Sequence, residues 1–496
     1  MFLSSGYLQR LILFLLLLTS TACTPIPRPA REPLSTFSAR AKPLLAERRY
    51  SEAAAIFEQA AQVHAENPDP LIKIGQIYLA QHRWLLAEDA FNRALARDLD
   101  NAQAAAGLAE TLLNQGRLNE ALKWWQKAVS FKPELPGVFT GLGRTYLFLF
   151  DFESAKDALL EQQAHAPDFE AAWYLAALAA PLELSAAIDY LQTIPSDENE
   201  PGVSASLVAR RDYLLETLAP FNANLSQAEV ARSTGIAMAQ LEHWPLAIYA
   251  LSTAMEQASD LSTEAQAEAL AFLGYASAQA GRPAYDFFEQ ARQIDLNSAL
   301  PLYFEGRYLR QKGALQAAEA SFEQAIELDP QNAALYAEVA QIKEQQGNLA
   351  GAELWYAAAI EVAEEKLPFQ LLMLKFYAHR SYRMSEAGIP LAETLIEADE
   401  NKAEVYDVLG WMQFLSGAPE GGEEALRQAL ELNPNSISAR YHLARLLETT
   451  GRYVLAQEEY QRVVDWDTSG VFRDQALKDL LRLAGEHPPP DTIQTD

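Results

Sequence analysis

The chain has a single cysteine, Cys23, in 496 residues. That excludes an internal disulfide framework and any zinc site built from several thiolates. Positive charge is scarce as well: 39 Lys and Arg against 67 Asp and Glu leave a formal net charge of −28, and no basic run offsets it locally. Such a balance repels a phosphate backbone, so nucleic acid is not expected as a partner, and the acidic surface reads as a solubility device of a large helical protein. The seven histidines are scattered, among them His64, His82, His243 and His442, and no pair has the HExxH spacing that puts two metal ligands on one helix face. The chain contains neither a GxxxxGK phosphate loop nor a GxSxG nucleophile turn. No catalytic site, metal or cofactor is expected. Long apolar runs are missing too: the strongly apolar run Leu11–Leu18 falls short of the roughly 20 residues that span a bilayer as a helix.

What surrounds that run is informative. Arg10 precedes it and the small residues Thr19, Ser20, Thr21 and Ala22 follow, which is the layout of a signal peptide over residues 1–22. A cysteine placed directly after such a segment resembles a bacterial lipoprotein, although Ser20 stands where that family usually carries an aliphatic residue. The resemblance implies lipidation of Cys23, a membrane-anchored chain in the cell envelope, and, with Thr24 rather than Asp next in line, the outer membrane of a two-membrane cell. The segment itself also fits an uncleaved anchor or a released chain. Residues 23–33 hold Pro25, Pro27, Pro29 and Pro33 and are expected to form an extended stalk, about 30 Å long at about 3.1 Å per residue.

From residue 34 to about 470 the chain repeats itself. In the unit 299–332 a first helix carries Tyr303 and Gly306 and stops at Gly313; a second carries Ala318, Phe322 and Ala325 and cannot continue through Asp329-Pro330. Small residues let two helix backbones approach, and the aromatic fills the wedge beside them. Gly75, Ala109 and Gly143 recur every 34 residues, as do Ala87, Ala121 and Ala155, while Phe57, Phe91 and Trp125 hold the aromatic slot. Gly313 and Gly347, Phe322 and Tyr356, and Gly417 and Gly451 repeat the offset later in the chain.

This spacing and residue set resemble the tetratricopeptide repeat, whose period is 34 residues. The implied fold is all-α: a right-handed α-solenoid superhelix of about twelve helical hairpins, with starts near 34, 68, 102, 136, 170, 228, 267, 299, 333, 367, 403 and 437. Two stretches depart from the pattern. The unit from 170 is interrupted by Pro181 and followed by the acidic run 194–201 and an extra helix near 203–218, while the unit from 367 lacks the glycine and aromatic signals. The array divides there into an N-terminal block, 34–201, and a C-terminal block, 202–470, or runs on as one superhelix with an insertion. Residues 471–487 are expected as a capping helix and 488–496 as a disordered tail.

The resemblance places partner binding on a concave surface lined by first helices, where peptides or helical segments lie. The inward slots are Leu79, Arg144 and Phe148 in the first block, with Gln76, Glu110 and Leu147 beside them. In the second block they are Tyr303, Arg307, Arg310, Trp411, Phe414 and Tyr441, with Gln341, Asp407 and Arg445. Ile72, Ala106 and Thr140 stand where a lysine-type carboxylate clamp would begin, so apolar anchors at Phe148, Phe150, Trp411 and Phe414 are expected instead. Arg307 and Arg310 fit either an acidic partner group or a neighbouring carboxylate. Glu423 and Glu424 read as solvated surface, and Gly421-Gly422 as a softened helix. Two functions fit: a non-catalytic scaffold docking proteins of a cell-envelope complex, homo-oligomeric or not, or a structural component of a polysaccharide export or cell-wall synthesis complex.

Overall fold

The structure, a computed structural model, describes residues 31–166, 168–221 and 226–486. The signal segment, Cys23, most of the proline-rich stalk and the tail from 487 lie outside the described residues. Within them the secondary structure is entirely helical, with 26 α-helices and no strand.

Twenty-four of these helices pair into twelve antiparallel hairpins. The first helices begin at Leu34, Asp69, Ala102, Val138, Phe169, Gln227, Thr263, Leu300, Ala333, Leu367, Ala403 and Ile437. Every start expected from the spacing is present, the largest displacement being from 267 to Thr263. The small-residue slots work as the repeat pattern requires: a Cβ added at Gly75 would come within 2.7 Å of the Phe91 ring, and one at Gly306 within 2.7 Å of the Phe322 ring. The turn inside every hairpin but the fifth, which turns over 180–183, holds a left-handed residue. Gly116, Gly313, Gly347, Gly417 and Gly451 supply it in their units, but Arg48, His82, Phe150 and Glu242 do so in theirs, with φ between 55° and 62°.

Gly421-Gly422 is more than a softened helix. A Cβ at Gly422 would lie 2.8 Å from the Gly410 carbonyl oxygen, so this residue permits the close approach of helices Ala403–Leu415 and Pro419–Leu432. Glu423 is likewise not solvated surface. It accepts hydrogen bonds from Arg452 at 2.6 and 2.8 Å and from Arg427 at 2.8 Å, tying one hairpin to the next.

Curvature follows from which helices touch. The first helix Asp69–Ala80 packs on Ala102–Asn114, and that on Val138–Phe148; the same holds from Gln227–Gln240 through Ile437–Thr449. Successive second helices make no comparable contact, so first helices line the inside of the curve.

The irregular stretch belongs to one large apolar core. The helix Phe169–Ala179 buries every residue from Ala171 to Leu178. The extra helix, Ala205–Leu218, inserts Leu207, Leu214 and Leu218 into the same core, which runs without interruption from Leu147 to Ala276. At the other end Arg473–Glu486 lies along Tyr453–Trp466 and buries Ala476 and Leu483 there. The last hairpin also reaches the first: Ser51 donates to the Asp465 carboxylate through its backbone N–H at 3.0 Å and its hydroxyl at 2.5 Å.

Candidate functional site: the concave face

Three groups of side chains occupy the inner helices. In the first, Arg144 donates to both carboxylate oxygens of Glu110, at 3.0 and 3.2 Å. Phe148 is 43% exposed nearby. Phe150 holds a left-handed turn, and its ring lies 4.2 Å beneath the Arg282 guanidinium. Arg144, Phe148 and Phe150 face Trp244, Pro245 and Gln279 across a cleft of about 390 Å³, so hairpins a hundred residues apart share one wall-to-wall site. Behind it Trp173 is fully buried, with Arg210 stacked 4.6 Å over its ring and His243 at 4.7 Å. Burial, reinforced by the Arg210 and Arg144 charges, holds His243 neutral and lowers its pKa to about 4. Leu79 is half-buried against the first-block core, and Leu147 is a core residue at 3% exposure, so it offers a partner nothing.

In the middle group Arg310 pairs with Glu338 at 2.7 Å and donates to Gln341 at 2.7 Å, while Arg307 lies 3.6 Å from Glu338. Both arginines therefore use a carboxylate on the next first helix, and Glu305 is engaged by Arg292 at 3.0 Å. Burial raises the Glu338 pKa, and the two arginines oppose that rise. Arg307 also sits 5.2 Å over Tyr275 and 5.7 Å over Tyr303, which orients a flat cationic surface inward.

The third group is aromatic. Trp411 stacks on His442 with ring centroids 4.3 Å apart and packs against Phe414 at 5.4 Å. Asp407 fixes this arrangement, taking hydrogen bonds from His442 Nδ1 at 2.7 Å and from the Ser438 hydroxyl at 2.5 Å. The carboxylate sits between serine and histidine, so the imidazole is not placed to take the serine proton and the trio orients a ring rather than activating a nucleophile. Tyr441 is turned away from the open face. It is 8% exposed beneath the terminal helix, donating to Asp479 at 3.2 Å and accepting from Arg445 at 3.3 Å.

The slot pattern brought Trp411 and Phe414 together but passed over His442, Glu338 and Arg210. The signal for two of them was the facing position on the next first helix, 35 residues after Asp407 for His442 and 31 after Arg307 for Glu338, whereas Arg210 lies on the extra helix outside the repeat. Among the described residues no group of three or more His, Cys, Asp or Glu side chains is placed to hold a metal ion, and no helix is long and apolar enough to cross a membrane.

A stack of helical hairpins with an inward-facing row of first helices is a repeat solenoid. Models of the tetratricopeptide repeat match residues 72–136 and 303–366, and a second model of that description matches 44–98 and 413–481. The chain carries tetratricopeptide repeats at those places. Similar solved structures include yeast Tom70, at 14% identity and a TM-score of 0.41 over 84% of this chain and 96% of that one. Another is the APC/C hetero-tetramer Cut9–Hcn1, at 15% identity and 0.38 over 90% and 96%. A third is a tetratricopeptide repeat protein from Parabacteroides merdae, at 13% identity and 0.41 over 52% and 98%. No curated protein matches the chain.

Proposed function

We propose that this protein is a non-catalytic interaction scaffold that takes a peptide or helical segment of another protein on its concave face. The observation that carries the reading is the Trp411–His442–Phe414 group, an aromatic surface on neighbouring first helices held in place by a buried carboxylate. Rigid aromatic groups of this kind supply large contact area at small entropic cost and anchor interfaces. The half-exposed Phe148 beside Arg144 offers a second anchor on the same inner row. We also propose, from the sequence alone, that residues 1–22 direct export and that Cys23 carries a lipid, which would set the scaffold in the cell envelope.

Photo-crosslinking amino acids at 148 and 411 test the groove against one at 354, where Leu354 is 72% exposed on a second helix. Crosslinks at 148 and 411 that Trp411→Ala or Phe148→Ala weakens at the other position are the expected outcome; crosslinks at 354 alone would move the binding face to the outside. Intact-mass analysis of the mature N-terminus, against Cys23→Ser, tests the anchor separately.

A further inference from the structure

A stack of repeats needs only nearest-neighbour contacts, and nothing in that principle asks its ends to meet. Here they do. Beyond the two Ser51 bonds to Asp465, the Gln461 amide donates to the Ser51 hydroxyl at 3.2 Å. The Gln81 amide donates to the Asp465 carbonyl at 3.1 Å, and Arg473 donates to the Gln81 carbonyl at 2.9 Å. Arg48, in the turn of the first hairpin, donates to Asn435 at 3.2 Å and lies 4.9 Å over the Trp466 ring, which Arg440 also covers at 4.4 Å. Asp465 is 4% exposed and Gln81 1%, so the contact hides these groups from water.

The junction differs in kind from those between neighbouring hairpins. Each neighbouring pair shares apolar side chains in one of the hydrophobic clusters, whereas no cluster joins residues of the first two hairpins to residues of the last. The side chains that bond across it are Ser, Gln, Asp, Asn, Arg and one Trp, whose polar groups water can satisfy when they part.

We propose that this junction is a latch: the array is held closed by Asp465 of the last hairpin seated against Ser51 of the first, and it opens there as a unit while every hairpin stays folded. Segments that open below the global unfolding free energy are those with few buried apolar contacts, and among the junctions of this array the latch has the fewest. Opening turns a closed circuit of hairpins into an open arc and parts the walls of the solvent-facing cleft of about 920 Å³ between Arg49, Trp466 and Leu481. The latch stands whether or not the concave face binds a partner.

The test uses the full chain with Cys23→Ser, which leaves no native thiol, and spin labels at Ala55→Cys and Glu431→Cys, both exposed on second helices near the junction. A single narrow distance band is expected, and adding Asp465→Ala should lengthen it by at least about 10 Å, one helix diameter, with helix content unchanged. In an unlabelled partner experiment, Ser51→Cys with Asp465→Cys should oxidise to a disulfide, because the 2.5 Å contact between the native side chains brings those positions near bonding reach. That bond should hold the radius of gyration at the wild-type value. Doubling of mass in Asp465→Ala, abolished in the disulfide form, also counts for the latch, since released ends then pair between copies. If Asp465→Ala loses helix content, Arg48→Ala with Arg473→Ala takes its place. Ends already far apart in the wild type, an unchanged distance in the latch variants, or lengthening only together with lost helicity would each overturn the proposal.

Discussion

The hairpins from Asp69 to His165 and the stretch from Phe169 to Phe221 solve the same packing problem differently. In the regular region a first helix such as Ala102–Asn114 keeps polar residues at its surface, with Gln103 and Asn114 exposed to water. In the irregular stretch Phe169–Ala179 is enclosed on all sides, because the added helix Ala205–Leu218 covers what a neighbouring repeat would leave open. A 34-residue period encodes the fit of one hairpin to the next. Where the period fails, continuity of the stack is recovered by apolar bulk, and a helix apolar around its whole circumference is the signature of that burial.

The largest expected effect comes from removing that bulk. Trp173→Ala should cost about 3–5 kcal/mol, and hydrogen exchange should quicken on both sides of the extra helix, from about residue 147 to 276. Phe91→Ala, in the regular region, should quicken exchange only in its own and adjoining hairpins. Equal spread of the two effects would erase the contrast drawn above.

Acid should act on the same irregular region. His243 has a folded pKa of about 4 against an ordinary value near 6.5, so the unfolded chain binds the proton more readily. Stability is therefore complete above about pH 6.5 and falls as the pH drops toward 4, by about 3 kcal/mol at about 1.4 kcal/mol per unit. Urea unfolding of wild type and His243→Gln between pH 7 and 4 should show that part of the slope disappearing in the variant.

The regular seam is sharpened by overfilling it. Gly306→Ala places a methyl group against the Phe322 ring and should cost about 1–3 kcal/mol in urea unfolding, and Phe322→Leu in the same chain should recover part of the loss. The smallest effect is a gain. Glu242 holds a left-handed turn at φ 59°, where a side chain costs about 1–2 kcal/mol and glycine gives back about 0.5–1 through the unfolded state, so Glu242→Gly should stabilise by about 0.5 kcal/mol.

Much of this architecture was legible because the repeat writes local rules many times over. The hairpin starts, the Gly75–Phe91 and Gly306–Phe322 contacts, and the helix after residue 202 all follow from spacing and residue size within a few dozen residues. The inner face was legible only in part. Arg144, Phe148, Trp411 and Phe414 lie on it, but Tyr441 and Leu147 are taken up by packing, since the same slot is open or covered according to what the next element does. Arg307 and Arg310 illustrate the remainder: their charge is plain in the sequence, yet its use on Glu338 depends on the stagger of adjoining helices.

What the amino-acid sequence by itself determined was the hairpin, its period and the order of the stack, since each rests on contacts between residues at most one repeat apart. What only the tertiary structure decided was the meeting of the ends. The stacking of successive hairpins adds up over the whole array to bring Ser51 to Asp465, 414 residues away. No local pattern carries that sum, because a slight change in any one rotation moves the far end by the accumulated length of the stack.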